Sequence, residues 1–291
     1  MGIDRRGFLK TMGLVGVTLT VGKSFGAVKE QKKDREFSGI LYDSTLCIGC
    51  QNCEYTCADH YGLTEPKDSP VAGVTRNTNA NQRVAINLYK TSRGEKYVRK
   101  ACMHCNEPAC ASACLTKAMY KTEEGPVIWR ENKCIGCRSC MISCPFEMPK
   151  FDFNSPNPVI QKCRMCYELL RKGKKPVCVD ACPQEALIFG KRRDLIEIAK
   201  TRIYADPEKY QHAIYGENEV GGTGVLYIGA VPFEELGFRT DLGTVPYPEK
   251  NKTFLYSVPA VLILWPAFLL GLHNSFNERK RKLLKEKYEQ S

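Results

Sequence analysis

The sequence predicts an α+β protein that ends in one transmembrane helix. Short strand-like runs and a segment of helical apolar period between residues 38 and 240 predict the α+β part. Residues 253–272 form an uncharged run of 20 positions, the length that spans a bilayer. All 16 cysteines of the 291-residue chain lie between Cys47 and Cys182, so this block carries a chemistry of its own.

Residues 1–27 predict an export signal. "RRGFLK", at residues 5–10, precedes a glycine-rich apolar run that is too short to span a membrane. The arginine pair resembles the twin-arginine signal, whose route carries proteins that are already folded. The alternative is a chance arginine pair before a short helix. The position of the pair and the apolar run that follows it favour export.

The middle of the chain contains short candidate elements. Residues 64–96 are mostly polar and predict a loop with one strand inside it. The predicted elements are a strand at 83–90, a hairpin of 118–121 and 126–131, a strand at 185–190, and a helix at 192–203.

The apolar run at 253–272 also predicts the topology. Six of the ten residues at 278–287 are Lys or Arg, against two of the five at 248–252. The positive-inside rule then places the C-terminus in the cytoplasm and the cysteine block in the periplasm. A buried core helix is the alternative, which the length of the run and the basic tail disfavour. We therefore expect a single-pass inner-membrane protein that contacts membrane lipid.

The net charge of +11 does not indicate nucleic-acid binding. About half of the excess lies in residues 1–27 and 273–291, where it bears on topology. The rest is not gathered into runs, whereas nucleic-acid-binding proteins present a clustered basic face. We expect no nucleic-acid partner.

The cysteines fall into four groups by spacing. "CIGCQNCEYTC" in the first group and "CIGCRSCMISC" in the third also form an internal repeat. The first group is Cys47, Cys50, Cys53 and Cys57; the second is Cys102, Cys105, Cys110 and Cys114; the third is Cys134, Cys137, Cys140 and Cys144; the fourth is Cys163, Cys166, Cys178 and Cys182.

Three chemistries compete for these cysteines. Disulfides suit an exported protein, but cysteines three apart would close very small competing rings. Zinc sites use two C-x2-C pairs separated by a longer gap. The run C-x2-C-x2-C-x3-C-P of the third group is the bacterial ferredoxin pattern for [4Fe–4S] clusters. The spacing therefore predicts iron–sulfur clusters, with disulfides and zinc as alternatives.

The spacing also suggests that the four cysteines of each group bind two different clusters. Three thiolates on one tight loop bind one cluster, and the fourth cysteine reaches the other cluster of the pair, at the start of a helix that runs away. Gly49 and Gly136 suit a backbone that lies close to the cluster. His104, between Cys102 and Cys105, is expected to face solvent, and a hydrogen bond to a cluster sulfur is the alternative.

These motifs resemble the four-cluster, ferredoxin-like electron-transfer subunits of bacterial respiratory oxidoreductases. The resemblance covers residues 38–240 and implies four [4Fe–4S] clusters. With the signal and the anchor, the chain is most similar to the hydrogenase-2 type of subunit. The implied ligands are site A, Cys47, Cys50, Cys53 and Cys182; site B, Cys57, Cys163, Cys166 and Cys178; site C, Cys102, Cys105, Cys110 and Cys144; and site D, Cys114, Cys134, Cys137 and Cys140.

The resemblance implies two interleaved ferredoxin-like domains. The boundaries are a signal at 1–27, a first domain at 38–96 and 158–240, an inserted second domain at 97–157, a linker at 241–252, a transmembrane helix at 253–272, and a basic cytoplasmic tail at 273–291.

The implied function is electron transfer without catalysis. Electrons would pass through the clusters between a periplasmic catalytic subunit and a quinone-linked or cytochrome b membrane subunit. An uptake [NiFe] hydrogenase is the leading partner, and a formate dehydrogenase or other molybdopterin oxidoreductase is the alternative. A disulfide-stapled, membrane-anchored periplasmic binding protein is a third possibility of another class.

Overall fold

The computed structural model describes residues 36–153 and 159–289 of the chain. The predicted export signal at residues 1–27 lies outside the described residues. All sixteen cysteines lie within them, because the gap at 154–158 contains no cysteine.

The described residues contain short strands and helices and one long C-terminal helix. The strands are β1 Ser38–Asp43, β2 Ala85–Thr91, β3 Gly94–Lys100, β4 Met119–Lys121, β5 Val127–Trp129, β6 Lys150–Phe151, β7 Ile160–Gln161, β8 Leu187–Lys191 and β9 Val225–Ile228. The helices are α1 Asn52–Tyr61, α2 Ala109–Ser112, α3 Ser139–Ile142, α4 Tyr167–Leu170, α5 Val177–Asp180, α6 Arg192–Ala205, α7 Tyr247–Lys250 and α8 Lys252–Glu289. Short 3₁₀ turns occupy Glu131–Lys133 and Glu219–Gly221.

A three-stranded sheet in the order β8-β1-β9 forms the centre of the fold. β1 pairs antiparallel with β8 and parallel with β9. Leu41 of β1 is fully buried, as expected for a central strand. Helix α6 covers one face of this sheet through Leu195, Ala199 and Ile203, which the apolar spacing of the helix places on one side.

Two-stranded ladders extend the fold beyond this sheet. β2 pairs with β3, β4 with β5, and β6 with β7, all antiparallel. Met119 and Val127 of the β4–β5 hairpin share a separate small core with Phe151 and Ile160. This core also contains Cys110 and Cys140, so the apolar packing surrounds cysteines directly.

Several predicted elements are confirmed. The strand predicted at 83–90 is β2, the hairpin is β4–β5, the strand predicted at 185–190 is β8, and the helix predicted at 192–203 is α6. Among the strands, the predictions omitted β1, β3, β6, β7 and β9. Residues 94–96 of the predicted loop belong to β3, which pairs with β2 along its whole length.

Helix α8 extends beyond the predicted transmembrane segment at both ends. It begins at Lys252 and continues through the basic tail to Glu289. Leu, Lys, Arg and Glu dominate this tail. Because these residues have high helix propensity, the helix continues past residue 272. The predicted linker also contains α7.

Among the described residues, one stretch, Ser257–Leu284, is long and apolar enough to cross a membrane. No part of its apolar window is buried against the rest of the protein. The apolar side chains of this stretch are therefore not covered by other described parts of the protein.

Candidate metal centre

Site A lies at one end of the β1–β8 ladder. Tyr42 of β1 pairs with Leu187 of β8. Cys47 follows Tyr42 by five residues and Cys182 precedes Leu187 by five, so antiparallel pairing brings both to the same end. All four cysteines of site A and Tyr42 line one cavity there.

Site B is the most deeply buried of the four sites. Its cysteines come from α1, from the loop after β7, and from α5, and none is more than 8% exposed. All four line a second cavity, together with Arg83 and Arg99. The structure thus brings one cysteine of the first group to three of the fourth.

The cysteines of site C lie close enough for their charges to interact. Burial raises the pKa of Cys105 well above its usual range, and the nearby thiols of Cys102, Cys144 and Cys110 raise it further. Cys144 belongs to the third group and the other three to the second, so this site also joins two groups.

Site D repeats the geometry of site A. Met119 of β4 pairs with Trp129 of β5, Cys114 precedes Met119 by five residues, and Cys134 follows Trp129 by five. Burial, followed by the nearby thiols of Cys114, Cys134 and Cys137, raises the pKa of Cys140 to about 11.

The expectation that each fourth cysteine starts a helix is wrong. Helices α2, α3 and α5 contain the third cysteine of their groups and end before the fourth, and α1 contains both Cys53 and Cys57. Cysteines four residues apart lie one helical turn apart on the same face. They can therefore reach adjacent sites without a helix that runs away.

A turn recurs after the fourth cysteine of the second, third and fourth groups. The residue three positions later has a left-handed backbone, and its N–H donates to the carbonyl of that cysteine. These residues are Lys117, Glu147 and Glu185, with φ of 54°, 54° and 47°. The second and fourth groups thus share with the third a backbone turn that their cysteine spacing does not reveal.

Burial dominates the electrostatics of the thiols. It raises the pKa of Cys178 to about 11, although the positive charge of Arg99 lowers it. Burial also raises the pKa of Cys53 and Cys57 above the usual range of a thiol. Such thiols stay protonated at neutral pH unless a bound metal replaces the proton, so metal binding and proton release are coupled.

The donor atoms fit [4Fe–4S] clusters. All sixteen cysteines are free thiols, which leaves the disulfide alternative without support. Among residues 36–153 and 159–289, no three His, Cys, Asp or Glu side chains converge on a single metal ion. Backbone N–H groups of Met119 and Met165 donate to Cys114 Sγ and Cys163 Sγ, both at 3.3 Å. Thiolate ligands with N–H···S hydrogen bonds are typical of iron–sulfur clusters.

Sequence reasoning missed two buried basic side chains that contact thiols. Arg99 Nη2 lies 3.7 Å from Cys178 Sγ, and Lys162 Nζ lies 3.6 Å from Cys102 Sγ. Both side chains belong to buried residues. They bring positive charge to sites B and C.

The expectation for His104 is wrong. The residue is 1% exposed, and its Nδ1 accepts a hydrogen bond from the Val127 N–H at 2.9 Å. Burial, and then the charges of Lys162, Lys121 and Arg99, lower the pKa of His104 well below its usual range. The ring is therefore neutral, with its proton on Nε2.

A buried ion pair positions helix α1, which supplies cysteines to sites A and B. The Glu54 side chain is fully buried, and both of its oxygens accept from the Arg76 guanidinium, at 2.6 and 2.8 Å. Glu54 also accepts from Gln82 Nε2 and from the Ile86 N–H of β2. This network fixes α1 against β2, and with it Cys53 and Cys57.

Comparison with known proteins agrees with this chemistry. Residues 94–192 match the family model of the 4Fe-4S dicluster domain. A protein of Nitratidesulfovibrio vulgaris is 40% identical over 98% of this chain and 80% of its own length. The hydrogenase-2 operon protein HybA of Escherichia coli O157:H7 is 33% identical over 87% of this chain and 90% of its own length. The iron–sulfur subunit of the nitrate-inducible formate dehydrogenase of E. coli K12 is 32% identical over 65% of this chain and 66% of its own length.

Two glycines in equivalent loops provide a test of site A. Gly49 and Gly136 have φ of 73° and 70°, so alanine strains both backbones similarly. A Cβ at Gly49 would lie 2.4 Å from the Tyr97 ring, whereas one at Gly136 meets nothing within 4 Å. We expect Gly49→Ala to reduce iron per chain by about one cluster, four irons, and Gly136→Ala to retain it. Iron and acid-labile sulfide analysis measures this; equal loss in both variants would contradict it.

Proposed function

We propose a specific electron-transfer function for this chain, which belongs to the family of ferredoxin-like iron–sulfur electron-transfer subunits of bacterial respiratory oxidoreductases. In this proposal it carries electrons between a periplasmic uptake [NiFe] hydrogenase and a quinone-linked membrane subunit. The observation that carries this proposal is the grouping of sixteen free thiols into four neighbouring sets. The chain itself performs no bond chemistry in this proposal.

We propose that sites A to D each hold one [4Fe–4S] cluster. The shared cavities of sites A and B and the mutual charge effects in sites C and D support this assignment. The repeated ladder geometry of sites A and D supports two interleaved ferredoxin-like domains, 38–96 with 158–240 and 97–157 between them.

Electrons would pass between the four sites in the order A, B, C, D. Cys53 and Cys57 are one turn apart on α1, which supports contact between sites A and B. Lys162 Nζ donates to the Cys163 carbonyl at 2.8 Å and to Cys102 Sγ, which supports contact between sites B and C. The single helical turn α2 lies beside both site C and site D, because it contains Cys110 and is followed by Cys114.

The two ends of this series are the sites that reach the surface. Cys50 of site A and Cys137 of site D are exposed, whereas every cysteine of site B is buried. Large exposed apolar side chains adjoin the cysteines of site D, among them Leu115 and Ile142 at 86% and 88% exposure. Exposed apolar patches around a redox centre fit protein–protein docking.

Site D would face the membrane subunit and site A the catalytic subunit. Helix α7 packs against α2, which precedes Cys114 of site D. The candidate membrane helix α8 begins two residues after α7 ends. This connection supports a membrane position nearer to site D.

The choice of hydrogenase as partner rests on extent of similarity. HybA, whose name links it to the hydrogenase-2 operon, aligns over 90% of its length, against 66% for the formate dehydrogenase subunit. A formate dehydrogenase or another molybdopterin enzyme is the second candidate, because the formate dehydrogenase subunit has nearly the same identity.

Anaerobic purification of the full-length chain from cells that produce it separates these candidates. We expect a [NiFe] hydrogenase large subunit to co-purify, about sixteen irons per chain, and cluster reduction by hydrogen but not by formate. Co-purification with a molybdopterin subunit and reduction by formate would overturn the hydrogenase assignment. An iron-free, disulfide-bonded chain would overturn the electron-transfer function itself.

We propose that the chain is exported by residues 1–27 and anchored by α8, with the clusters in the periplasm. Replacing Arg5 and Arg6 by lysine should retain the chain in the cytoplasm, because the twin-arginine route reads that pair. Deleting residues 252–291 should release the chain into the soluble periplasmic fraction. Fractionation with immunoblotting measures both. A Lys32→Gln, Lys33→Gln variant is the control, and unchanged location in the first two would contradict the topology.

A further inference from the structure

Buried positive charge is concentrated at the two inner sites. Among the described residues, the buried arginine and lysine residues are Arg83, Arg99 and Lys162. Arg83 and Arg99 line the cavity of site B, and Lys162 contacts Cys102 of site C. The outer sites A and D instead each expose a cysteine to solvent.

The buried acidic residues do not neutralise these cations. Asp43 pairs with Arg202 Nη1 at 2.9 Å, and Glu54 pairs with Arg76. Both acids therefore have basic partners of their own. The positive charge of Arg99 and Lys162 has no buried carboxylate partner among the described residues.

Arg99 points from β3 toward site B. The residue is 1% exposed, and Nη2 donates to Cys178 Sγ at 3.7 Å. Its Nε and Nη1 have no hydrogen-bond partner in the described part of the protein. Arg99 also lines a second cavity beside Phe238. Burying a guanidinium without a negatively charged partner costs desolvation free energy. A negatively charged cluster next to Arg99 would offset that cost.

Lys162 has a similar position at site C. Its Nζ donates to the carbonyls of Val127 and Cys163 and to Cys102 Sγ, all of them acceptors. A lysine ammonium group has three N–H donors, which match these three acceptors in number. Its charge therefore lies directly against a ligand sulfur of site C.

Reduction adds one electron to a cluster that is already negative with its four thiolates. Burial opposes this added charge and lowers the reduction potential, whereas nearby cations and N–H···S hydrogen bonds favour it. Given the proposed electron-transfer function, we propose that Arg99 and Lys162 raise the reduction potentials of the clusters at sites B and C, respectively. The two most enclosed clusters thereby stay accessible to electrons that pass between the exposed ends.

Redox titrations followed by electron paramagnetic resonance on the intact complex test this inference. We expect Arg99→Gln to lower the reduction equilibrium constant of one cluster at least tenfold, about 59 mV for one electron. Lys162→Gln should lower that of a different cluster by a similar factor. Arg99→Lys, which keeps the charge, should shift the potential less than Arg99→Gln. Arg192→Gln is the matched control, because the hydrogen bonds of Arg192 go to backbone carbonyls only.

Iron and acid-labile sulfide analysis separates the possible failures. A wild-type chain without clusters would refute the proposed function rather than this inference. The inference would be overturned if the variants load their clusters and every reduction equilibrium constant stays within twofold of wild type. It would also be overturned if both variants shift the same cluster. If either Arg99→Gln or Lys162→Gln fails to bind its cluster, the potential measured in the other variant tests the inference. Loss of iron from both variants would overturn it, because the two residues would then have a structural role only.

Discussion

The antiparallel pairing of β1 with β8 brings cysteines of the first and fourth groups together. It joins residues that are about 150 positions apart, from Ser38 opposite Lys191 to Tyr42 opposite Leu187. The register decides which cysteines meet, since the loop with Cys47 and the turn with Cys182 leave the ladder at the same end. A slip of one residue would turn every side chain of β1 to the other face. β9 on the other edge and α6 on one face hold that register.

Bound clusters would remove two unfavourable features of this fold: buried thiols that resist ionisation and buried positive charge without a carboxylate partner. Buried thiols such as Cys53, Cys57 and Cys178 resist ionisation. The buried guanidinium of Arg99 has no carboxylate partner among the described residues. An iron–sulfur cluster ionises its ligands and places negative charge beside those cations. Folding and cluster insertion are therefore coupled. This coupling fits the proposed twin-arginine route, because that route carries folded proteins.

Local sequence patterns predict the local parts of this structure. Two strand-like runs separated by four residues predict the β4–β5 hairpin, and apolar spacing predicts α6. β1 and β9 were missed because each is a short apolar run whose partners lie far away in sequence. The ligand sets of sites A to D came from resemblance to a family, since spacing alone leaves the pairing of the groups open. Arg99 was missed because it lies between Val98 and Lys100 in a basic stretch that has the composition of a solvated strand.

We propose that cysteines distant in sequence share a cluster, whereas neighbours on one helix belong to different clusters. Paramagnetic resonance spectra of four cysteine-to-serine variants of the full-length protein test it most directly. We expect Cys53→Ser and Cys182→Ser to alter one cluster signal, and Cys57→Ser and Cys178→Ser to alter a second. Changes in the same signal for Cys53→Ser and Cys57→Ser, with a different one for Cys182→Ser, would contradict it.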